Sequence, residues 1–231
     1  MNIIEKFIDI CKNRDIKGAI ELQKSLQSTP CVQSLHTDFQ TICAFDISYD
    51  KSSQLNFAVA VIMNFSHLEL VETQNIIEKS VFPYISGLLA FREGPSIIRL
   101  YRKLKTRPDL LLFDGQGNAH PRGTGIASVI GFLLDIPSIG CAKTRLVGEY
   151  IEPGLQKGNH SDLNFRGQIV GRVLRTRKGV KPVFVSPGHK IDLNTTTDIV
   201  LRCCRKFRLP EPIREAHKLA NEIMKNCKKN E

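Results

Sequence analysis

The chain has 231 residues, of which 42% are hydrophobic, and it carries a formal net charge of +10. That length suits one large domain, and that apolar fraction is enough to form a core. The basic excess favours an anionic partner, nucleic acid or an anionic membrane surface, and charge alone does not choose between them. No apolar run approaches the roughly 18 residues that a membrane-spanning helix requires. We therefore expect no membrane partner.

The N-terminus and the cysteines together predict a cytoplasmic protein. The first residues include acids and lack the continuous apolar core of a signal peptide. The seven cysteines include no Cys-x-x-Cys pair. An odd number of cysteines, several of them in apolar stretches, favours buried reduced thiols over a disulfide framework or a zinc site.

The first half of the chain is predicted to contain helices followed by a three-stranded meander. Apolar residues at helical spacing over residues 2–27 predict one or two amphipathic helices. Three strands are predicted next, over residues 41–47, 56–65 and 68–79. Such a series suggests an antiparallel ribbon that joins a larger sheet.

The middle of the chain has the pattern of a βαβ unit. A helix is predicted over residues 88–105, with Pro95 in its first turns, where the early N–H groups lack intrahelical partners. The unit itself is predicted as strand 109–113, helix 124–134 and strand 136–141. A βαβ unit implies two parallel strands joined by a right-handed crossover.

The last part of the chain is predicted to begin with an irregular polar segment over residues 148–166. Two strands and two helices follow, over residues 167–175, 181–186, 195–207 and 213–226. The whole predicts a single α/β domain with a mixed β-sheet flanked by helices, spanning residues 1–231. It would carry an N-terminal helical extension at about 1–34 and a helical C-terminal tail at about 213–231.

Three carboxylates and one lysine stand where an α/β sheet places ligands. Asp46 lies inside an apolar strand, Glu93 near the start of a helix, and Asp114 at the end of a strand before glycine. A buried carboxylate needs a partner, a metal or a raised pKa, and open α/β sheets bind ligands at the carboxyl ends of their strands. Lys143 follows the neighbouring strand, where it could neutralise a carboxylate or hold a phosphate. Taken singly, each residue could instead be an ordinary turn, helix-start or surface residue.

Taken together, these residues favour a metal site that acts on phosphates. Three carboxylates can bind one Mg²⁺, which prefers oxygen ligands and usually shares its coordination sphere with a substrate phosphate. Basic residues without an intervening acid follow in the sequence: Arg166, Arg172, Arg175, Arg177, Lys178, Lys181 and Lys190. Such a cluster suits a polyanion and makes binding salt-dependent.

Several segments resemble the endonuclease V family in order and spacing. The segments that carry the resemblance are residues 44–49, 83–93, 114–122, 126–128, 136–143, 186–189 and 208–212. It covers roughly residues 35–215. The stretch from Pro-Tyr-Ile to Phe-Arg-Glu, followed by Asp-Gly-x-Gly, is the most specific part.

The resemblance implies an RNase H-like fold and metal-dependent nicking of nucleic acid at deaminated bases, above all hypoxanthine, the base of inosine. The cut would fall at the second phosphodiester bond on the 3′ side of the lesion and leave 5′-phosphate ends. The implied cofactor is Mg²⁺, with Mn²⁺ able to substitute. The implied partner is inosine-containing DNA, RNA or both, bound by a monomer.

The resemblance also implies roles for residues. Asp46 and Asp114 would be metal ligands, and Glu93 the third acidic member, directly or through a metal-bound water. Lys143 would contact a phosphate or the leaving group, and His189 is similar to a family histidine near the active site. Residues implied to bind substrate are the wedge Pro83, Tyr84 and Ile85, the base-pocket residues Leu89, Gly115 and Ile126, and His120 of the matched His-Pro-Arg stretch. Gln116 stands where some members have histidine and receives no catalytic role.

Two other functions stay open at this point. One is a different nuclease of the same fold, such as a ribonuclease acting on RNA–DNA hybrids. The lack of a fourth clear carboxylate and the presence of Tyr84 argue against it. The other is a non-catalytic nucleic-acid-binding protein, but three retained acids would then repel phosphate without any gain.

Overall fold

The computed structural model describes residues 2–27 and 38–229. Cys31, residues 28–34 of the expected N-terminal extension, and the last two residues of the expected tail lie outside that description. The strands are β1 (Thr41–Asp50), β2 (Leu55–Asn64), β3 (Leu70–Lys79), β4 (Leu110–Phe113), β5 (Ser138–Ala142), β6 (His160–Phe165), β7 (Gln168–Leu174) and β8 (Val183–His189). The helices are α1 (Ile3–Lys12), α2 (Ile16–Gln27), α3 (Leu89–Lys103), α4 (Ile126–Leu134), α5 (Leu193–Cys203) and α6 (Glu211–Lys229).

The strands form one eight-stranded sheet in the order β3-β2-β1-β4-β5-β8-β7-β6. β4 pairs in parallel with β1 on one side and with β5 on the other. The remaining strand pairs are antiparallel. This arrangement confirms the predicted α/β class, the mixed sheet, the β1–β2–β3 meander and the parallel βαβ unit.

Helices cover both faces of the sheet because the buried strands are apolar on both sides. Along β1, Cys43 and Phe45 pack towards α1, α2, α3 and α4. Ile42 and Ala44 point to the opposite face, which α5 and α6 cover. Alternate residues of a strand point to opposite faces. This places Asp46 on the same side as α6.

The prediction of an irregular segment over residues 148–166 is wrong at its end, where β6 forms. β6 is an edge strand whose one strand partner is β7, with an isolated bridge from Asn164 to Glu149 on its other side. Only Leu163 of its six residues is buried. An edge strand exposed on both faces lacks the apolar pattern from which strands are predicted.

The explanation given for Pro95 is also wrong. α3 begins at Leu89, so Pro95 is its seventh residue and lies past the four N–H groups that lack intrahelical partners. The proline therefore leaves the carbonyl of Phe91 without its usual helical donor. The start of α5 is also earlier than predicted: the helix begins at Leu193 because the side chain of Asp192 accepts the N–H groups of Asn194 and Thr195.

Six cysteines fall within the described residues and all have free thiols, as predicted. Five of them are buried, and Cys227 is partly exposed. Among the helices of residues 2–27 and 38–229, none has the length and apolar character needed to cross a membrane.

Candidate active site

The parallel register of β1 and β4 brings two predicted site residues together. The last paired residues are Phe45 and Phe113. The next residue on β1 is Asp46 and the next after β4 is Asp114, so the two carboxylates follow matched positions on neighbouring strands. β4 ends here while β1 continues to Asp50, which opens a gap in the sheet at this edge.

Glu93 reaches the same gap from α3, which crosses the sheet face above it. Asp46, Glu93 and Asp114 line one small cavity of about 150 Å³. Its other lining residues are apolar: Phe45, Ile47, Ile97, Phe113 and Ile126. The fold thus gathers the three predicted carboxylates in poorly hydrated surroundings.

Burial and mutual repulsion raise the pKa values of two of these carboxylic acids. The pKa of Glu93 is raised to about 8, first by burial and then by the negative charges of Asp46 and Asp114. Burial also raises the pKa of Asp46, although His217 and Lys143 act in the opposite direction. The site carries more negative charge than its surroundings stabilise, as expected of a site that binds a cation.

Lys143 is the cation nearest to this charge within the described residues. Its Nζ lies 2.5 Å from Oδ2 of Asp114, and 42% of its side chain is exposed. Its main chain is fixed because Arg208 donates a hydrogen bond of 2.6 Å to its carbonyl oxygen. The ammonium group can therefore move from Asp114 to an incoming phosphate while its backbone stays in place.

His217 is a site residue that the sequence analysis missed. It lies on α6, and its Nδ1 is 3.3 Å from both carboxylate oxygens of Asp46. The two residues are 171 positions apart in the chain, beyond any local spacing rule. One signal was available: His217 lies four residues after Ile213 and directly after Ala216, both buried. A histidine at the border of a buried helical stripe points to a polar partner.

The donor chemistry fits a hard divalent cation. Carboxylate oxygens are the ligands that Mg²⁺ prefers, and Asp46 and Asp114 are close enough to Glu93 to raise its pKa. Within the described residues, no group of three His, Cys, Asp or Glu side chains is already arranged as a complete metal site. Asp114 pairs with Lys143, and Asp46 pairs with His217. Binding a cation would require Lys143 to give up Asp114.

A second cavity of about 300 Å³ adjoins the carboxylates and includes Asp114 and Lys143 in its wall. Its lining contains six of the seven residues assigned to substrate binding: Tyr84, Ile85, Leu89, Gly115, His120 and Ile126. Gly115 keeps this space open, because a Cβ atom at that position would lie 2.6 Å from Cγ2 of Ile126. We call this space the base pocket.

The loop that carries the expected wedge has an exposed tip and a fixed base. Tyr84 is 73% exposed at the tip, while Ile85 packs against the core. The carbonyl of Gly87 accepts hydrogen bonds from Gln23, His120 and Arg122, at 3.1, 3.0 and 2.6 Å. The loop can therefore present Tyr84 to a substrate without a rearrangement of its backbone.

His120 lines the base pocket, but its ring nitrogens are engaged with backbone. Nε2 donates to the carbonyl of Gly87, and Nδ1 accepts the N–H of Arg122 at 3.2 Å. Burial, followed by the charge of Arg122, lowers the pKa of His120 to about 4. The residue is thus a neutral support for the wedge loop at the wall of the pocket.

His189 lies apart from the carboxylates. It pairs with Ser138 at the first residue of β5, whereas Lys143 follows the last. Its Nε2 is 3.2 Å from Asp135, and its ring packs edge-on against Phe132. It lines a separate cavity of about 640 Å³, the largest described, which shares His120 with the base pocket.

Comparison with known proteins identifies the family that shares these features. A family model described as Endonuclease V matches residues 20–218. An endonuclease V of Dictyoglomus turgidum is 46% identical over 213 residues, which are 92% of each chain. An endonuclease V of Trichormus variabilis is 45% identical over 207 residues, 89% of this chain and 94% of the relative.

Solved structures of endonuclease V proteins have the same fold as this chain. The crystal structure of a Bacillus subtilis endonuclease V superposes with a TM-score of 0.89 at 31% identity, covering 96% of this chain and 98% of the other. A Ciona intestinalis endonuclease V, crystallised with a 23-mer DNA containing an inosine followed by a ribo-adenosine, superposes with a TM-score of 0.81. That match has 28% identity and covers 93% of this chain and 99% of the other.

Proposed function

The chain belongs to the endonuclease V family, and we propose on that basis that it nicks nucleic acid strands at inosine, with Mg²⁺ as cofactor. The cut falls at the second phosphodiester bond on the 3′ side of the lesion. The observation that carries this proposal is the junction of two cavities at Asp114. One holds three carboxylates suited to a cation, and the other has the size of a small-ligand pocket.

The carboxylates supply the chemistry on phosphate. Asp46 and Asp114 would hold the metal, and Glu93 would complete its surroundings directly or through a water. Bound Mg²⁺ would activate water and stabilise the oxygen that leaves. Without a cation the pKa of Glu93 is raised to about 8, so the acid is largely protonated at neutral pH. The positive charge of a bound cation would favour its ionised form, which could then accept a proton from a water at the edge of this site.

Lys143 stabilises charge that develops during the cut. Its ammonium group now neutralises Asp114. When a cation takes over that carboxylate, Lys143 is free to hold a phosphate oxygen near the same strand end. A fixed positive group that faces the developing charge lowers the barrier more than a mobile counterion would.

The base pocket receives the lesion. An enzyme that inspects a base in a strand takes it out of the stack and binds it in a fitted pocket. Leu89, Gly115 and Ile126 form the walls of that pocket. Pro83 and Tyr84, at the exposed tip of the wedge loop, would occupy the gap that the extruded base leaves.

Replacing Tyr84 with alanine is expected to impair nicking of duplex substrates more than of single strands, because only a duplex leaves a stacking gap to fill. The loss for the duplex should be roughly 5- to 100-fold in kcat/KM, as for removal of an aromatic group that stacks on a base. Steady-state kinetics on matched single-stranded and duplex inosine substrates measure it. Tyr84→Phe is the matched control and should keep most of the activity. Equal losses on both substrates would contradict the wedge role.

Substrate choice separates this function from the alternatives. A strand with one inosine should be nicked in Mg²⁺ and left intact with chelator, while a plain RNA–DNA hybrid should resist. Cleavage of the plain hybrid would favour the hybrid ribonuclease. Binding without cleavage in any metal would favour the non-catalytic protein. Separate cleavage assays on a DNA strand and an RNA strand, each with one inosine, would show which backbone is preferred.

The last two parts of the proposal concern the oligomeric state and the cellular compartment of this enzyme. We propose a monomer in which one chain supplies all the site residues named above. Free buried thiols, as seen at the described cysteines, are typical of a reducing compartment such as the cytoplasm.

A further inference from the structure

We propose that Asn221 is a positioning residue: it fixes the tautomer of His217, which in turn orients the carboxylate of Asp46. The proposal rests on the proposed metal-binding role of Asp46. It adds a chain of hydrogen bonds from the C-terminal helix to the metal site, and each donor in that chain follows from the geometry.

The orientation of the Asn221 amide is settled by a backbone carbonyl. The Nδ2 atom of Asn221 lies 3.0 Å from the carbonyl oxygen of His217, which can only accept a hydrogen bond. The nitrogen must therefore be on that side. The Oδ1 atom then faces Ser48, whose hydroxyl group donates to it at 3.1 Å.

The amide orientation determines the tautomer of the imidazole. The same Nδ2 atom, now known to be a donor, lies 3.0 Å from Nε2 of His217. Nε2 must accept this hydrogen bond, so it carries no proton. In a neutral imidazole the proton then lies on Nδ1, which is the nitrogen that faces Asp46.

The resulting contact suits a metal-binding carboxylate. Nδ1–H lies 3.3 Å from each oxygen of Asp46, so it holds the carboxylate symmetrically. The opposite tautomer would direct a lone pair at the carboxylate and push it out of place. A neutral His217 also leaves the negative charge of Asp46 available to a cation. Partners that orient a metal ligand in this way commonly affect metal affinity or activity.

The positioning role of Asn221 differs from the general packing of α6 against β1, and a control variant can distinguish the two. Asp46, Ser48 and Asp50 alternate on one face of β1, and α6 meets them with His217, Asn221 and Lys228. Lys228 donates to Asp50 at 2.5 Å, two residues beyond Ser48. Lys228→Met therefore weakens the attachment of α6 to β1 without touching His217, which makes it a matched control.

The test is the protonation state of each ring nitrogen of His217, read from ¹⁵N–¹H correlation spectra of metal-free protein. At about pH 8, Nδ1 should carry the proton and Nε2 should be bare. Asn221→Asp replaces the donor with an acceptor, so Nε2 should become protonated. Lys228→Met should leave the parent pattern. A bare Nδ1 in the parent protein, or an unchanged Nε2 in Asn221→Asp, would overturn the inference.

A second readout links the tautomer to the metal. Asn221→Leu removes the donor at similar size, and it should weaken Mg²⁺ binding by about 10- to 100-fold in a calorimetric titration without substrate. Lys228→Met should bind Mg²⁺ as the parent does. Equal affinity in Asn221→Leu and the parent would show that Asn221 does not position Asp46. Neither readout uses inosine, so both stay informative if the proposed substrate proves wrong.

Discussion

Asp114→Asn is expected to abolish nicking of an inosine-containing strand, with a loss of at least roughly 10²- to 10³-fold in kcat, the scale for removing one group that stabilises transition-state charge. The change removes a proposed metal ligand but keeps the shape of the side chain. It also removes the partner of Lys143, whose Nζ is 2.5 Å from Asp114. Binding of the strand should persist, because an anion is removed from a site that receives phosphate.

Single-turnover cleavage and a separate binding titration at fixed salt test both halves of this prediction. Asp162→Asn is the matched control, since Asp162 lies on the edge strand β6 and pairs with Arg172 at the surface. It should nick at the rate of the parent. If Asp114→Asn nicks as fast as the parent in Mg²⁺, Asp114 is not a metal ligand.

Glu93→Gln is expected to stop nicking on the same scale while making the metal-free protein more stable at neutral pH. The pKa of Glu93 is raised in the fold from its ordinary value of about 4.5 to about 8, so folding favours its protonated form. The contribution to stability is fully present below about pH 4.5 and is lost as the pH rises through about 8. Glutamine stays neutral over that range. At about pH 7 it should raise the free energy of unfolding by about 1–3 kcal/mol.

Urea unfolding with chelator at several pH values measures this effect. The parent should lose stability between about pH 5 and pH 8, and Glu93→Gln should lose less of it. Added Mg²⁺ should stabilise the parent more than the variant, because the parent offers the cation one more carboxylate. Curves with the same pH dependence for both proteins would show that folding does not raise the pKa of Glu93. Such gains at the expense of activity are typical of functional sites.

The sheet and its two carboxylates, Asp46 inside β1 and Asp114 after β4, could be predicted because their signals are local. The apolar run before Asp114 and the glycine after it mark a strand end. The βαβ pattern then places Lys143 beside it. The meander pattern predicts a ribbon that joins this unit in a larger sheet. Asp46 and Asp114 follow matched positions because β1 and β4 are parallel and end their pairing together.

The rest depends on how distant elements pack. Glu93 joins the site because α3 crosses the sheet face, which its helical spacing does not reveal. His217 and Asn221 reach β1 across more than 170 residues of sequence. β6 was not predicted because only one of its residues is buried, so its sequence lacks an apolar strand pattern. His189 carried a family resemblance, yet the fold places it at the end of β8, opposite Ser138 of β5 and beside Asp135.

The most direct measurement uses an end-labelled strand with one inosine and maps the product ends at single-nucleotide resolution, with Mg²⁺ or with chelator. The account predicts one nick, at the second phosphodiester bond on the 3′ side of inosine, that requires Mg²⁺ and is absent from a matched adenosine strand. Equal cleavage of the two strands, or a nick that persists in chelator, would contradict it.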